Sequence, residues 1–256
     1  MKKTGLAILL ALVVLFAFAG CGSKNDDGDD GKEKAAGNGS GAAQNGETPA
    51  DDEANTPEAK TSLPPEITES GYLAVKNGDV YYTFYAVIIK NPNADTAVED
   101  FSFSITARDG AGAVLGTQTH KADLLYPLQN AVIALAGPML EQEPASLDFE
   151  IIPPDDYAFV SVDTLEHPQY APLSVDGVDL RREEPFTVVT GDISNPNDYD
   201  VDSAEITIVY RDGAGKLIAG DTWFIGEIPA KGKLPFKADL ISNYATDQYE
   251  VYGSPW

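Results

Sequence analysis

Oxygen-bearing side chains are concentrated in the stretch NPNDYDVD, at Asn195, Asn197, Asp198, Asp200 and Asp202. The three aspartates alternate with other residues, so on a strand they would share one face. Calcium takes about six to eight oxygen ligands at flexible geometry, often including backbone carbonyls. These five residues are therefore a candidate calcium site. The competing interpretation is that Asn and Asp are simply the usual turn residues.

A similar set of side chains occurs about a hundred residues earlier in the chain. It consists of Asn91, Asn93, Asp95, Glu99 and Asp100, and it begins with the same Asn-Pro-Asn. Apart from calcium, we expect no cofactor.

Groups that could transfer protons are few. The chain has two histidines, His120 and His167, in separate loop-like segments, and a pair of acids, Asp155 and Asp156, that follows two prolines. The sequence contains no HExxH, CxxC, P-loop or GxGxxG motif. We interpret the histidines as solvent-exposed and the acids as linker charge, and we predict that the protein is not an enzyme.

Aromatic residues are concentrated towards the end of the sequence. They are Tyr244, Tyr249, Tyr252 and Trp256, with Trp223 in a strand-like run. Such side chains can stack on sugar rings or peptides, or they can belong to the core of a sandwich. Both interpretations stay open at this point, and no ligand-binding residue is assigned.

The first twenty residues have a basic start, an apolar run and small residues at the end, which is typical of a secretory signal. The only cysteine, Cys21, follows directly in the context FAGC. This segment resembles a bacterial lipoprotein signal, with Phe18 where that family usually has Leu. The resemblance implies that Cys21 carries diacylglycerol after cleavage. Acyl chains of this kind anchor a protein to a bilayer without a membrane-spanning segment.

Residues 21–65 are rich in Gly, Asp, Glu and Ala and contain no aromatic residue. Such a segment buries too little apolar surface to offset its conformational entropy, so we expect a disordered acidic tether after the signal peptide of residues 1–20. The formal net charge of the whole chain is −24. Nucleic acid would repel so acidic a chain and is not an expected partner.

From residue 66 onwards, short runs rich in Val, Ile, Tyr, Phe and Thr alternate with Gly, Pro, Asn and Asp clusters, which predicts an all-β fold. The motifs NPN and RDGAG each occur twice, at offsets of 104 and 103 residues. We therefore predict two tandem β-sandwich domains, at 66–154 and 175–256, joined by a linker at 155–174.

The repeated motifs themselves are interpreted as instructions for turns. In RDGAG, the Asp-Gly pair favours a hairpin with positive φ and the second Gly permits a bulge. In NPN, the Asn side chains can bond the backbone. Between the two motifs of the first copy, Phe101, Phe103 and Ile105 should face the core while Ser102 and Ser104 face away.

The second copy resembles the FxLYD-type domains of bacterial lipoproteins. The resemblance rests on six positions, with Arg211 where the family usually has Asp: Gly191, Asn195, Tyr210, Pro229, Gly232 and Phe236. The NPN motif is also similar to the water-stress LEA type of domain, another small β-sandwich. Both resemblances imply an immunoglobulin-like architecture, and neither family carries a catalytic motif.

Taken together, these patterns predict a lipid-anchored protein on the extracytoplasmic face of the cell membrane of a single-membrane bacterium. Its expected role is that of a non-enzymatic protein-interaction or structural module of the envelope. Its partner would be an envelope protein or a cell-wall component. The alternative is a ligand-binding accessory of transport or wall metabolism that takes calcium or a glycan.

Overall fold

The apolar runs after residue 61 fold into β-strands joined by turns. The computed structural model describes residues 62–183, 186–240, 246 and 248–256. The signal peptide, Cys21, the tether up to residue 61 and Tyr244 lie outside the described residues. Within the described part the chain forms thirteen β-strands and two short 3-10 turns.

The strands fall into two groups of similar order, which we call the first module (β1 to β7) and the second module (β8 to β13). The bounds are β1 Glu66–Asn77, β2 Val80–Lys90, β3 Thr96–Arg108, β4 Val114–Leu125, β5 Asn130–Ala136, β6 Ser146–Ile152, β7 Phe159–Ser161, β8 Ser174–Glu183, β9 Phe186–Ser194, β10 Ala204–Arg211, β11 Leu217–Ile225, β12 Lys233–Leu240 and β13 Gln248–Pro255. The 3-10 turns are Asp156–Ala158 and Val162–Thr164.

Each module is a sandwich of two antiparallel sheets with the same strand order. The first module has sheets β1-β2-β5 and β4-β3-β6, and the second has β8-β9-β12 and β11-β10-β13. Equivalent strands therefore occupy equivalent places in the two copies. The predicted all-β fold of two tandem sandwiches is confirmed.

Each sandwich encloses a core built from the inward residues of both its sheets. In the first module, Phe101, Phe103 and Ile105 are almost completely buried, and in the second Ile206 and Ile208 are. The alternating serines of β3 are only half-buried, as predicted. In each module, the alternation of inward and outward side chains along a pleated strand therefore places the apolar residues in the core.

Strand β3 continues its inward pattern across an irregularity. Val98 and Phe101 are both buried although they are three residues apart. Asp100 between them has φ of 52°, and the pairing with β4 passes from Glu99 to Phe101. The left-handed backbone at Asp100 shifts the alternation by one residue without changing the register with β4, so both apolar side chains reach the core.

The RDGAG turns differ from the prediction in one respect. The positive φ lies at the second glycine of each motif, Gly112 at 85° and Gly215 at 82°, and the Asp-Gly pair does not require it. The amide of Gly112 donates to the carbonyl of Asp109, and the carboxylate of Asp109 accepts from two further amides of the turn. The geometry is therefore a tight turn followed by a left-handed glycine bulge, which the aspartate side chain holds closed.

The segment after β6 extends the first module. Two prolines follow β6, Asp155 precedes a 3-10 turn that begins at Asp156, and β7 then pairs with the beginning of β3. Strands β6 and β7 thus border the same edge of β3 with an insertion between them. Part of the segment predicted as linker lies within the sheet of the first module.

One buried polar atom in the first core supports a stability prediction. The Tyr85 hydroxyl has no hydrogen-bond partner among the described residues, and its side chain is fully buried against Phe103 and Phe149. Burial also raises the pKa of this phenol. We expect Tyr85→Phe to raise the free energy of unfolding by about 1 kcal/mol, because it removes an unsatisfied donor without leaving a cavity.

The measurement is urea denaturation, with Tyr126→Phe as the control. The Tyr126 hydroxyl donates to the carbonyl of His167 at 2.9 Å, so its removal should lower stability. A loss of stability in Tyr85→Phe would contradict the prediction and would point to a bound water at this hydroxyl.

Candidate functional site

The first asparagine of each NPN motif is buried, and its side chain holds its own loop together by hydrogen bonds. The Asn195 amide donates to the carbonyls of Tyr199, Ile228 and Pro229 at 2.8 to 3.3 Å. Its Oδ1 accepts from the backbone amide of Asn197 at 3.0 Å. Asn195 is 1% exposed. Its side-chain oxygen is therefore already used within the loop.

The second asparagine of each motif forms hydrogen bonds with the backbone of the segment that leads into its module. Asn197 accepts from the Ala171 amide at 2.8 Å and donates to the Ala171 carbonyl at 2.9 Å. Asn93 does the same with both backbone groups of Leu63, at 2.9 and 2.8 Å. This pair of hydrogen bonds, which we call the two-point clamp, was not predicted, although the repetition of both asparagines was a signal for it.

The three aspartates of the candidate calcium site point to separate partners. Asp198 forms an ion pair with Lys231 at 2.9 Å, Asp200 accepts from the Ala230 amide at 2.7 Å, and Asp202 is exposed. No group of three or more His, Cys, Asp or Glu residues that could hold a metal occurs within the described ranges. Calcium binding stays a prediction.

In the first copy, the matching residues also have local roles. Asn91 donates to the carbonyls of Thr96 and Leu125 at 2.8 and 3.0 Å. Asp100 forms an ion pair with Lys121 at 2.7 Å. Of the two further members, Asp95 directly precedes β3 and accepts a hydrogen bond from the Thr96 hydroxyl, and Glu99 lies near the start of the strand.

The two histidines lie in different surroundings. His120 is on strand β4 rather than in a loop, with its ring 5.2 Å from that of Phe103, and burial lowers its pKa. The expectation of an exposed loop histidine was wrong here, because β4 covers the core edge at this point. His167 lies after β7, where its ring stacks on that of Tyr199 at 3.5 Å.

A cluster of Tyr126, His167, Tyr170 and Tyr199 joins the two modules at the connecting segment. Tyr126 comes from the turn before β5, and its ring stacks on that of Tyr170 at 4.9 Å. Burial raises the pKa of Tyr126 to about 12 and also raises that of Tyr170. These phenols therefore stay protonated at physiological pH, and the cluster fastens the connection to both modules.

The remaining residues singled out by the sequence have varied positions. Asp155 precedes the first 3-10 turn, and its carboxylate is hydrogen-bonded to Tyr157, whose pKa it raises. Tyr249 and Trp223 pack against the core of the second module, and Tyr252 packs between the modules. Trp256 is 72% exposed, with its ring 5.1 Å from that of Phe224.

The two modules meet through the outer faces of two sheets, β1-β2-β5 and β11-β10-β13. A separate apolar cluster fills this interface, which we call the inter-module interface. It consists of Ala86, Ile88, Ala134, Val209 and Leu217, with Val132 and Tyr252 packed against it. Its five central residues are at most 6% exposed. Consistent with this contact, the described residues of both modules belong to one compact unit.

Two glycines allow the backbones to approach closely at this interface. A Cβ at Gly71 of β1 would lie 2.0 Å from the Leu217 carbonyl oxygen of the second module. A Cβ at Gly220 of β11 would lie 2.7 Å from the Cβ of Ala134. The Thr222 hydroxyl also donates to the Ala134 carbonyl at 2.8 Å. The sheets therefore pack with backbone-to-backbone proximity that a larger side chain would prevent.

Arg211 closes one edge of the inter-module interface. Its guanidinium binds Glu69 of the first module at 2.5 Å, Glu250 of β13 at 3.1 Å and the Gly215 carbonyl at 3.1 Å. Hydrogen bonds from Arg211, then from Tyr252, lower the pKa of Glu250. In the first module, the matching Arg108 binds only Asp148 and Gly112 within the described part.

We expect Arg211→Met to lower the free energy of unfolding by about 1 to 2 kcal/mol at pH 7, since it leaves two carboxylates facing each other. The lowered pKa of Glu250 means that this contribution is present above the ordinary glutamate pKa of about 4.3. It is lost as the pH falls through the lowered value. Urea denaturation between acidic and neutral pH measures both effects.

Arg108→Met is the matched control, since its ion pair lies within one module and is more exposed. Its expected loss is smaller and unrelated to the inter-module interface. Equal losses in the two variants would contradict a special role for Arg211.

A cleft of about 300 Å³ opens beside this interface, and we call it the inter-module cleft. The first module lines it with Ser70, Gly71, Tyr72, Leu147 and Phe149. The second module contributes Asp212, Lys216, Leu217 and Ile218. Concave sites with apolar walls and a few polar groups are typical binding sites.

None of the described residues forms a helix long and apolar enough to cross a membrane. No protein-family model matches the sequence. No curated protein matches it either. Among solved structures, vicilin from Corylus avellana (hazelnut) is 8% identical, with a TM-score of 0.11 over 66% of this chain and 77% of that one. That likeness carries no argument about fold or function.

Proposed function

We propose that this protein is a lipid-anchored module of a bacterial envelope that holds a binding surface away from the membrane. In this proposal Cys21 carries the lipid, residues 22–65 are the tether, and the two sandwiches belong to the FxLYD type. The protein acts without catalysis, and its partner is an envelope protein or a cell-wall component.

The observation that supports this role is the inter-module interface. The apolar cluster around Val209, the close approach at Gly71 and the bridging Arg211 join both sandwiches into one compact unit. Modules packed in this way present surfaces of both in one arrangement, which favours recognition of a partner because little order has to be gained on binding.

A ligand-binding accessory role is the second candidate. The inter-module cleft supports it, because ligand sites occur preferentially where domains meet. For calcium or a glycan, a shift in the melting temperature of the mature chain is the direct test.

The leading proposal is tested in intact cells. Labelling with an alkyne fatty acid should mark the wild-type protein and fail to mark Cys21→Ser. Photo-crosslinking from surface positions of both modules, followed by mass spectrometry, should recover one reproducible envelope partner. Recovery of only abundant neighbouring lipoproteins from every position would count against an interaction role.

A further inference from the structure

We propose that the inter-module cleft is the docking site of the partner and receives one aliphatic or aromatic side chain that is flanked by Lys or Arg. This inference rests on the proposed interaction role and names the chemistry of the partner.

The walls of the cleft come from different modules. Leu147 and Phe149 of β6 provide apolar surface on one side, and Leu217 and Ile218 of β11 provide it on the other. Leu147 is buried and Phe149 is half-buried. A volume of about 300 Å³ is at the low end for small-molecule sites, so it suits a single large side chain.

Acidic groups stand beside the wall of the first module. Asp148 lies on β6 between the two apolar lining residues, and Glu143 precedes that strand. Both carboxylates are close enough to Tyr72 to raise its pKa, in addition to the effect of burial. Asp148 is paired with Arg108 at 2.7 Å, so Glu143 is the carboxylate that a Lys or Arg next to the inserted side chain would meet at this wall.

The wall of the second module carries a different polar group. Lys216 lies in the RDGAGK hairpin, is exposed, and forms no ion pair within the described part of the chain. Its ammonium can donate to main-chain carbonyls of a bound segment. The equivalent position of the first hairpin is Ala113, so only the second copy supplies this donor.

The charge of the chain favours the same occupant. With a formal net charge of −24, the protein attracts basic segments and repels acidic ones. The arginines on both sides are already paired, Arg211 with Glu69 and Glu250 and Arg108 with Asp148. Charge complementarity therefore points to a basic partner with an apolar side chain rather than to an acidic one.

The cleft is also preformed. Gly71 lines it and lies in backbone contact with Leu217 across the inter-module interface. The two walls cannot move independently while that contact holds. Binding therefore requires little ordering of the protein.

The test uses the mature chain carrying Cys21→Ser and three short labelled probes at physiological ionic strength. The first probe has a phenylalanine between two lysines, the second has the lysines replaced by glutamates, and the third has the phenylalanine replaced by glycine. Two-dimensional NMR titration measures the affinities. We expect the first probe to bind at least about tenfold more tightly than the other two.

Variants then locate the site. Ser70→Trp fills the cleft from its rim and should weaken the first probe at least about tenfold. Ser104→Trp, on the outer face of β3, is the matched control and should bind like the wild type. Glu143→Lys should weaken binding about threefold, whereas Asp163→Lys, an exposed acid after β7, should not change it.

Unchanged binding in Ser70→Trp, or equal binding of the phenylalanine and glycine probes, would overturn the proposal. Crosslinking in cells separates this failure from failure of the proposed function. A partner captured from other surface positions but not from Lys216 would leave the interaction role standing and remove the cleft. Capture from Lys216 that is lost in Ser70→Trp would support both.

Discussion

Gly71→Ala should lower the free energy of unfolding by about 3 kcal/mol, which is the loss expected when an added atom has no space. The new Cβ would lie 2.0 Å from the carbonyl oxygen and 2.4 Å from the carbonyl carbon of Leu217. Both are backbone atoms of the facing module and cannot rotate away. Strand β1 or strand β11 must therefore shift, which loosens the apolar cluster between the modules.

The control for this variant is the same exchange at Gly110. A Cβ there would meet nothing within 4 Å, and its φ is not positive, so the expected change is at most about 0.5 kcal/mol. Calorimetry is the second measurement, and in it the wild type should unfold in one transition. Equal stability of Gly71→Ala and Gly110→Ala would mean that the two sheets do not pack as described.

Asn195→Ala is expected to lower the free energy of unfolding by about 2 to 4 kcal/mol, because buried polar groups left without partners are costly. The substitution removes the donor to the carbonyls of Tyr199, Ile228 and Pro229. It also removes the acceptor of the Asn197 amide. The loss should be the same in calcium and in EGTA, since these bonds involve only protein atoms.

Asp198→Ala is the matching control within the same loop. Its side chain is 90% exposed and, among the described residues, pairs only with Lys231, so its removal should change stability by at most about 0.5 kcal/mol. A calcium-dependent rise in melting temperature that both variants abolish would instead establish the calcium site.

The sequence predicted the fold well where local rules decide. The period-2 pattern of β3 placed Phe103 and Ile105 in the core, and the repeated turns marked equivalent strands. The aspartate of RDGAG was assigned the wrong backbone geometry, because its side chain accepts two amides and the left-handed residue comes later. Turn type depends on such side-chain bonds as well as on the glycine.

The inter-module interface was not predicted, although the sequence contains a sign of it. The run YAVIIK in β2 has no polar residue at alternate positions, and both faces of that strand are buried. Tyr85 and Val87 belong to the module core, while Ala86 and Ile88 belong to the interface. A strand that is continuously apolar indicates cover on both faces. Which sheet packs against the outer face of β2 depends on tertiary packing and could not be predicted from the sequence.

The candidate site was only partly accessible from sequence. The NPN motifs were rightly interpreted as places where Asn side chains bond the backbone, but the clamp on Ala171 joins residues 26 positions apart. The inter-module cleft brings Tyr72 and Lys216 together from separate copies. The spacing of residues along the sequence cannot predict contacts that exist only because two sandwiches pack together.

The two modules pack through unlike faces, which has a consequence for self-association. The outer face of β1-β2-β5 in the first module contacts the outer face of β11-β10-β13 in the second. The equivalent faces, on β8-β9-β12 of the second module and β4-β3-β6 of the first, are therefore exposed at the two ends of the pair. Such an arrangement can in principle add further copies without limit. On these exposed faces, however, polar residues occupy the positions that are equivalent to small residues of the inter-module interface. The pairs are Gly71 with Asp179, Ala134 with Lys237, and Gly220 with Thr117. Like the polar caps of repeat proteins, these polar side chains disfavour the addition of a further copy at either end.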